Sequence, residues 1–240
     1  AYIPFGYGED IALKFLQEAI KNGFSLILID TIAPLGAKAF THPDFDVVWR
    51  EIEEADIAVT LHVGADSSWD PIPLSFYNNG SPVPEHTAGD APRDALAYMG
   101  IQYNAEIFLA SMIFDGVFQR FPNLRVGVVE LGASWIISWM KQLDQSFRAF
   151  RRLQDLSQLK LLPSEYVLKH IKITAFPGED IGWLLTNGAE DLMMFATDYP
   201  HHEGTDDPIS RYERTMDGIK EEVKSKFYTQ NFKQLLGSHL

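Results

Sequence analysis

Four ionisable residues stand at the ends of short apolar runs. Asp30 closes Ser25-Leu-Ile-Leu-Ile, His62 closes Ile57-Ala-Val-Thr-Leu, Glu130 closes Arg125-Val-Gly-Val-Val, and Asp198 closes Met193-Met-Phe-Ala-Thr. Imidazole nitrogen with carboxylate oxygen suits Zn²⁺ or another divalent ion, and in a chain without cysteine it is the only strong ligand set available. A bound metal lowers the pKa of water from near 16 to roughly 7, and a neighbouring carboxylate can then serve as ligand, general base or both.

Each of these residues also has a plainer reading. Asp30, before Thr31, suits the amides of a loop. His62 reads equally as a ligand or as a core histidine bonded to backbone, and Glu130 equally as a site residue or as a carboxylate at a helix start. His201 and His202 are adjacent and rarely face the same way, so one of them could line a site. His42 sits at a helix start and His170 at a helix end, where a charged imidazole favours the dipole; His239 is in the tail. His86 and the aromatic residues Trp69, Phe76 and Tyr77 fall in a stretch at 64–95 rich in Pro, Gly, Asn, Ser and Asp, long enough to be a functional loop.

The elements that must position these side chains alternate. Asp10 can cap a first helix with the stripe Ile11, Phe15, Leu16 and Ile20, and Gly23 suits its exit. Further helical periods run at 44–55, 101–120, from Ser134 through Trp135, Ile136, Trp139, Met140 and Leu143, at 179–187 and at 219–236. With strands at 25–30, 57–62, 125–130, 171–176 and 193–198, the pattern is one continuous α/β domain over 1–240. Two architectures use it, the open doubly wound sheet and the (β/α)8 barrel. Neither G-x-G-x-x-G nor G-x-x-x-x-G-K-[ST] occurs, and a barrel would bring the charged strand ends together on one rim.

Composition narrows the partners. Asp and Glu number 33 against 20 Lys and Arg, a net charge of −13 that repels phosphate backbones and anionic lipid. A small-molecule substrate is expected, with neither nucleic acid nor membrane. No apolar run reaches the 18 to 20 or so residues of a transmembrane helix, and the start AYIPFGYGED has no signal-type apolar core and no Met. Absence of cysteine fits the reducing cytoplasm.

Taken together, Thr60-Leu-His62-Val-Gly, Arg120-Phe-Pro-Asn-Leu-Arg-Val with Glu130 and Trp135, Pro163-Ser-Glu-Tyr166, Phe195-Ala-Thr-Asp198-Tyr-Pro-His201 and Asn231-Phe232 resemble the amidohydrolase-related metal-dependent hydrolases. This is the branch that includes aminocarboxymuconate-semialdehyde decarboxylase. The resemblance implies a (β/α)8 TIM-barrel type fold with a divalent metal, most often Zn²⁺, at the rim. His62 matches the metal-binding His of the fifth strand, and Asp198 matches the Asp of the eighth, which binds metal and takes a proton from water. Residues 25–30, 125–130 and 171–176 would be strands four, six and seven. Two departures stand out: no His-x-His precedes residue 25, and Glu130 occupies the place where decarboxylase members carry His.

The expected function is a metal-dependent hydrolase with Asp198 as general base, His62 on the metal, Glu130 on metal or substrate, and His201, His86 and Trp69 toward substrate. Alternatives are a metal-dependent lyase, decarboxylating or hydrating an unsaturated or aromatic carboxylic acid, and an inactive truncated barrel. Only strands four to eight are expected, as though this were the C-terminal portion of a barrel. Five strands cannot close one, and the open edge implies a homo-oligomer.

Overall fold

The computed structural model describes residues 1–31, 38–64, 72–83, 92–201 and 204–239. Six parallel strands lie side by side in the order of the chain: β1 (Tyr2–Ile3), β2 (Leu26–Ile29), β3 (Ala58–His62), β4 (Val126–Val129), β5 (Ile171–Thr174) and β6 (Met193–Met194). Strictly sequential parallel order, with helix between neighbours, is the connectivity of a (β/α) barrel arc rather than of a doubly wound sheet, whose order reverses at a switch point. Among the described residues there are six strands where the sequence pattern predicts five. Tyr2–Ile3 pairs with Leu28 and Ile29, and the Ala1 carbonyl accepts the Leu28 N–H at 2.7 Å.

Helices cover one face of the sheet. They include α1 (Glu9–Lys21), α2 (Asp46–Glu54), α3 (Ala95–Met99), α4 (Tyr103–Phe114), α5 (Val117–Arg120), α6 (Ile136–Phe150), α7 (Pro163–His170) and α8 (Ile181–Leu184). After β6 come α9 (Pro208–Glu213), α10 (Glu221–Ser225) and α11 (Asn231–Leu236). α1 starts one residue before Asp10, with Gly8 at the cap position, so Asp10 acts in the first turn rather than as the cap. The helix expected over 101–120 is two helices, broken at Asp115 and Gly116.

Side chains alternate across each strand. Ile27, Ile29, Val59, Leu61, Val126, Val128, Ile171, Ile173 and Met193 are fully buried beneath helix residues such as Leu16, Trp49, Ile52, Met112, Ile136 and Val167. The other face of the arc carries Leu26, Leu28, Thr60, His62 and Val129, all half-buried. Leu235 of α11 packs there on Ala58 and Met194, filling the end from which the strands start. The opposite end, where the strands finish, holds the ionisable residues. No helix among the described residues is long and apolar enough to cross a membrane.

Candidate metal centre

Glu130 follows β4 directly and is 93% buried, an environment in which an ionised carboxylate needs partners. Two imidazoles supply them: Oε2 lies 2.7 Å from Nε2 of His62, and Oε1 lies 2.6 Å from Nδ1 of His201. The His201 nitrogen is also 3.5 Å from Oδ1 of Asp198. Burial pushes the Glu130 carboxyl up, but hydrogen bonds with His62, Asp198 and His201 outweigh it and hold the group well below the usual carboxylate range.

Glu130 and Asp198 share a backbone peculiarity. Both have left-handed conformations, φ 58° and 51°, which side chains other than glycine seldom adopt. The strain costs on the order of 1 kcal/mol at each position and persists only where the surroundings fix it, a pattern concentrated at functional sites.

The donor set fits a divalent cation. Donor atoms of Glu130, Asp198 and His201 all lie within 4.8 Å of one another. Two carboxylates this close repel one another unless a proton or a cation lies between them, and a bound cation would supply that compensation. His62 points the same way. Its Nδ1 is 2.8 Å from the Val63 carbonyl and donates there, while its Nε2, 2.7 Å from the Glu130 carboxylate, donates to Glu130 in this geometry and is the nitrogen whose proton a bound cation would replace. A ring held through Nδ1–H to a carbonyl, with Nε2 left to coordinate, is the usual arrangement of a metal-binding histidine.

Of the residues singled out from the sequence, the structure thus brings His62, Glu130, Asp198 and His201 together. His86 and Trp69 lie outside the described residues. Asp30 takes the plainer role: it accepts the Gly6 N–H at 3.2 Å and the Tyr2 hydroxyl at 2.6 Å, tying β1 to β2. Burial and that carboxylate push the Tyr2 phenol up. His42 accepts the Asp44 N–H at a helix start, as expected. His170 departs from expectation: it is 2% exposed, stacked on Phe118, and burial brings its imidazole down to about 4, the opposite of a charged partner for a helix dipole.

Two residues near the centre carried no sequence signal. Thr174, at the end of β5, accepts the Glu130 N–H through its hydroxyl at 3.2 Å. Glu179, in the loop after β5, reaches across to the turn that follows Glu130. A cavity of about 550 Å³ opens beside that turn, walled by Tyr98, Trp135 and Phe176. It shares Ile101 and Leu131 with a small cleft at His62.

Residues 6–237 match the family model described as amidohydrolase. The chain belongs to the amidohydrolase family. Solved structures agree on the fold. An amidohydrolase from Mycobacterium avium subsp. paratuberculosis superposes with TM-score 0.79 at 21% identity, over 98% of this chain and 57% of its own. The 5-carboxyvanillate decarboxylase of Sphingomonas paucimobilis gives 0.69 at 22% identity, over 96% and 64%. A dihydroxybenzoic acid decarboxylase from Polaromonas, with bound manganese and the inhibitor 2-nitroresorcinol, gives 0.66 at 18% identity, over 97% and 68%. The amidohydrolase chain thus spans between half and two thirds of the first two of these neighbours. No curated protein matches it in sequence.

Proposed function

We propose that His62, Glu130, Asp198 and His201 form the divalent-metal site of an enzyme acting on a small organic acid. The observation that carries the reading is that donor atoms of Glu130, Asp198 and His201 lie within 4.8 Å of one another at the strand ends, with His62 at 2.7 Å from the other oxygen of Glu130. Zn²⁺ and Mn²⁺ both suit the donors, and manganese is the ion bound in the Polaromonas neighbour. When bound, the ion would polarise a substrate oxygen and offset its charge.

The favoured reaction is a non-oxidative decarboxylation, because neighbours of this fold include decarboxylases of 5-carboxyvanillate and dihydroxybenzoates. In such a step the substrate carbon gains a proton as carbon dioxide leaves. Asp198 and His201, 3.5 Å apart at the site, are the groups that would hold and deliver that proton. Glu130 would fix the ring orientation of both histidines and exclude water from its buried side. Hydrolysis, with Asp198 as general base, is the second reading; Glu130 in place of the decarboxylase branch's His favours it.

An assay of hydroxybenzoates and muconate-type acids for carbon dioxide release, run beside ester and amide substrates, separates the two. Carbon dioxide release with Mn²⁺ or Zn²⁺ supports decarboxylation; turnover of esters or amides alone would move the assignment to hydrolysis. We further propose a cytoplasmic protein that self-associates through the open edge of its sheet, which sedimentation would report as a species larger than 27.1 kDa.

A further inference from the structure

The turn from Glu130 to Ser134 is held at both ends from β5 and the loop that follows it, while the Trp135 indole N–H donates to the Leu131 and Gly132 carbonyls within it at 3.2 and 2.9 Å. Glu179 uses both carboxylate oxygens: Ala133 donates its N–H to Oε1 and Oε2 at 2.9 and 3.0 Å, and Ser134 donates N–H and Oγ–H to Oε1, each at 2.6 Å. The Phe176 N–H closes on Oε2 at 2.7 Å, which anchors Glu179 within its own loop. At the other end of the turn, the Thr174 hydroxyl accepts the Glu130 N–H. Between these two fixed points lie Glu130 and Gly132, with φ of 58° and 63°. A segment containing a left-handed glutamate is not held by its own preference, so the bonds at its ends must define it. Charge-assisted bonds to backbone N–H groups are the strongest available for that purpose.

We infer that Glu179 is a positioning residue for Glu130: by fixing Ala133 and Ser134 it sets the backbone of the turn, and so the direction in which Glu130 meets His62 and His201. Among the described residues, Glu179 hydrogen-bonds to none of the four side chains of the centre. The inference rests on the metal reading above only for its effect on metal affinity; the effect on the two imidazoles stands apart from it.

The test compares the wild-type chain with Glu179→Gln and Glu179→Ala. Mn²⁺ and Zn²⁺ affinity is measured by isothermal titration, side-chain ¹H–¹⁵N resonances of His62 and His201 are recorded without metal, and folding is followed in urea. Glu179→Ala is expected to weaken metal binding about 10- to 100-fold, the range seen when residues supporting metal ligands are removed, and to shift both imidazole signals. Glu179→Gln, which keeps one acceptor oxygen and nearly the same shape, is expected to lie between, and it serves alone if the alanine variant does not fold. A loss of urea resistance with unchanged metal affinity and unchanged imidazole signals would overturn the inference and leave Glu179 a purely structural cap. If the wild-type chain takes up neither ion, the metal reading fails, while the imidazole signals still decide the role of Glu179.

Discussion

Oε1 of Glu130 lies 2.6 Å from Nδ1 of His201, across 71 residues of sequence. The same carboxylate holds His62 through its other oxygen at 2.7 Å, so one buried group orients two rings, one at the end of β3 and one in the loop after β6. Glu130→Gln preserves the shape and removes the charge. Metal affinity is expected to fall at least about tenfold, read by titration calorimetry with Mn²⁺. Unchanged affinity would show that Glu130 neither ligates nor orients a ligand.

His170 gives the fold a pH dependence separate from the site. Its Nδ1 is 2.7 Å from the Leu124 carbonyl, and Nε2 is buried without a hydrogen-bond partner. Burial brings the imidazole from the usual 6.5 down to about 4, with the Leu124 carbonyl acting the other way. The unfolded chain therefore binds the proton first as pH falls. Stability is full above about 6.5 and is lost as pH falls from there toward 4, by about 3 kcal/mol at the lower end. His170→Phe should flatten this portion of a stability-against-pH curve measured by urea unfolding.

Alanine normally stabilises a helix over glycine by about 1 kcal/mol. At Gly182, in α8, the sign reverses, because a Cβ there would stand 1.7 Å from the Thr215 carbonyl oxygen. Backbone cannot yield as a side-chain tip does. Gly182→Ala is expected to destabilise the chain by roughly 3 kcal/mol or more, beyond the usual range for overpacking, seen as a lowered midpoint in thermal unfolding.

Asn231 is fully buried in α11 and donates its amide to the carbonyls of Glu190, at 2.9 Å, and Met193, at 2.7 Å. These bonds fix the start of β6, the strand that leads to Asp198. Asn231→Leu leaves both carbonyls without the donor and should cost about 2 to 4 kcal/mol, measured by urea unfolding. A cost below about 1 kcal/mol would mean that water or another group replaces the amide.

The alternation of strand and helix was legible because each long element repeats at its own period, and the apolar runs ending on Asp30, His62, Glu130 and Asp198 marked the rim. β1 escaped notice since Tyr2–Ile3 is too short to show a period. His170 was misread because its place at a helix end says nothing of Phe118 and Tyr166 stacked around it. Thr174 and Glu179 could not be found at all, since their roles depend on β4 and β5 lying side by side. Asp30 shows the reverse: the same strand-end position as Glu130, but turned to a neighbouring backbone amide and a phenol.

His62, Glu130, Asp198 and His201 are proposed to bind one divalent ion. The most direct test of that site is metal stoichiometry and affinity, by mass spectrometry of metal content and titration calorimetry, on chelator-treated protein resupplied with Mn²⁺ or Zn²⁺. One ion per chain is predicted, with binding abolished by the double substitution His62→Ala and Asp198→Asn while the fold persists by circular dichroism. A chain that takes up no ion, or one whose binding survives both substitutions, would contradict it.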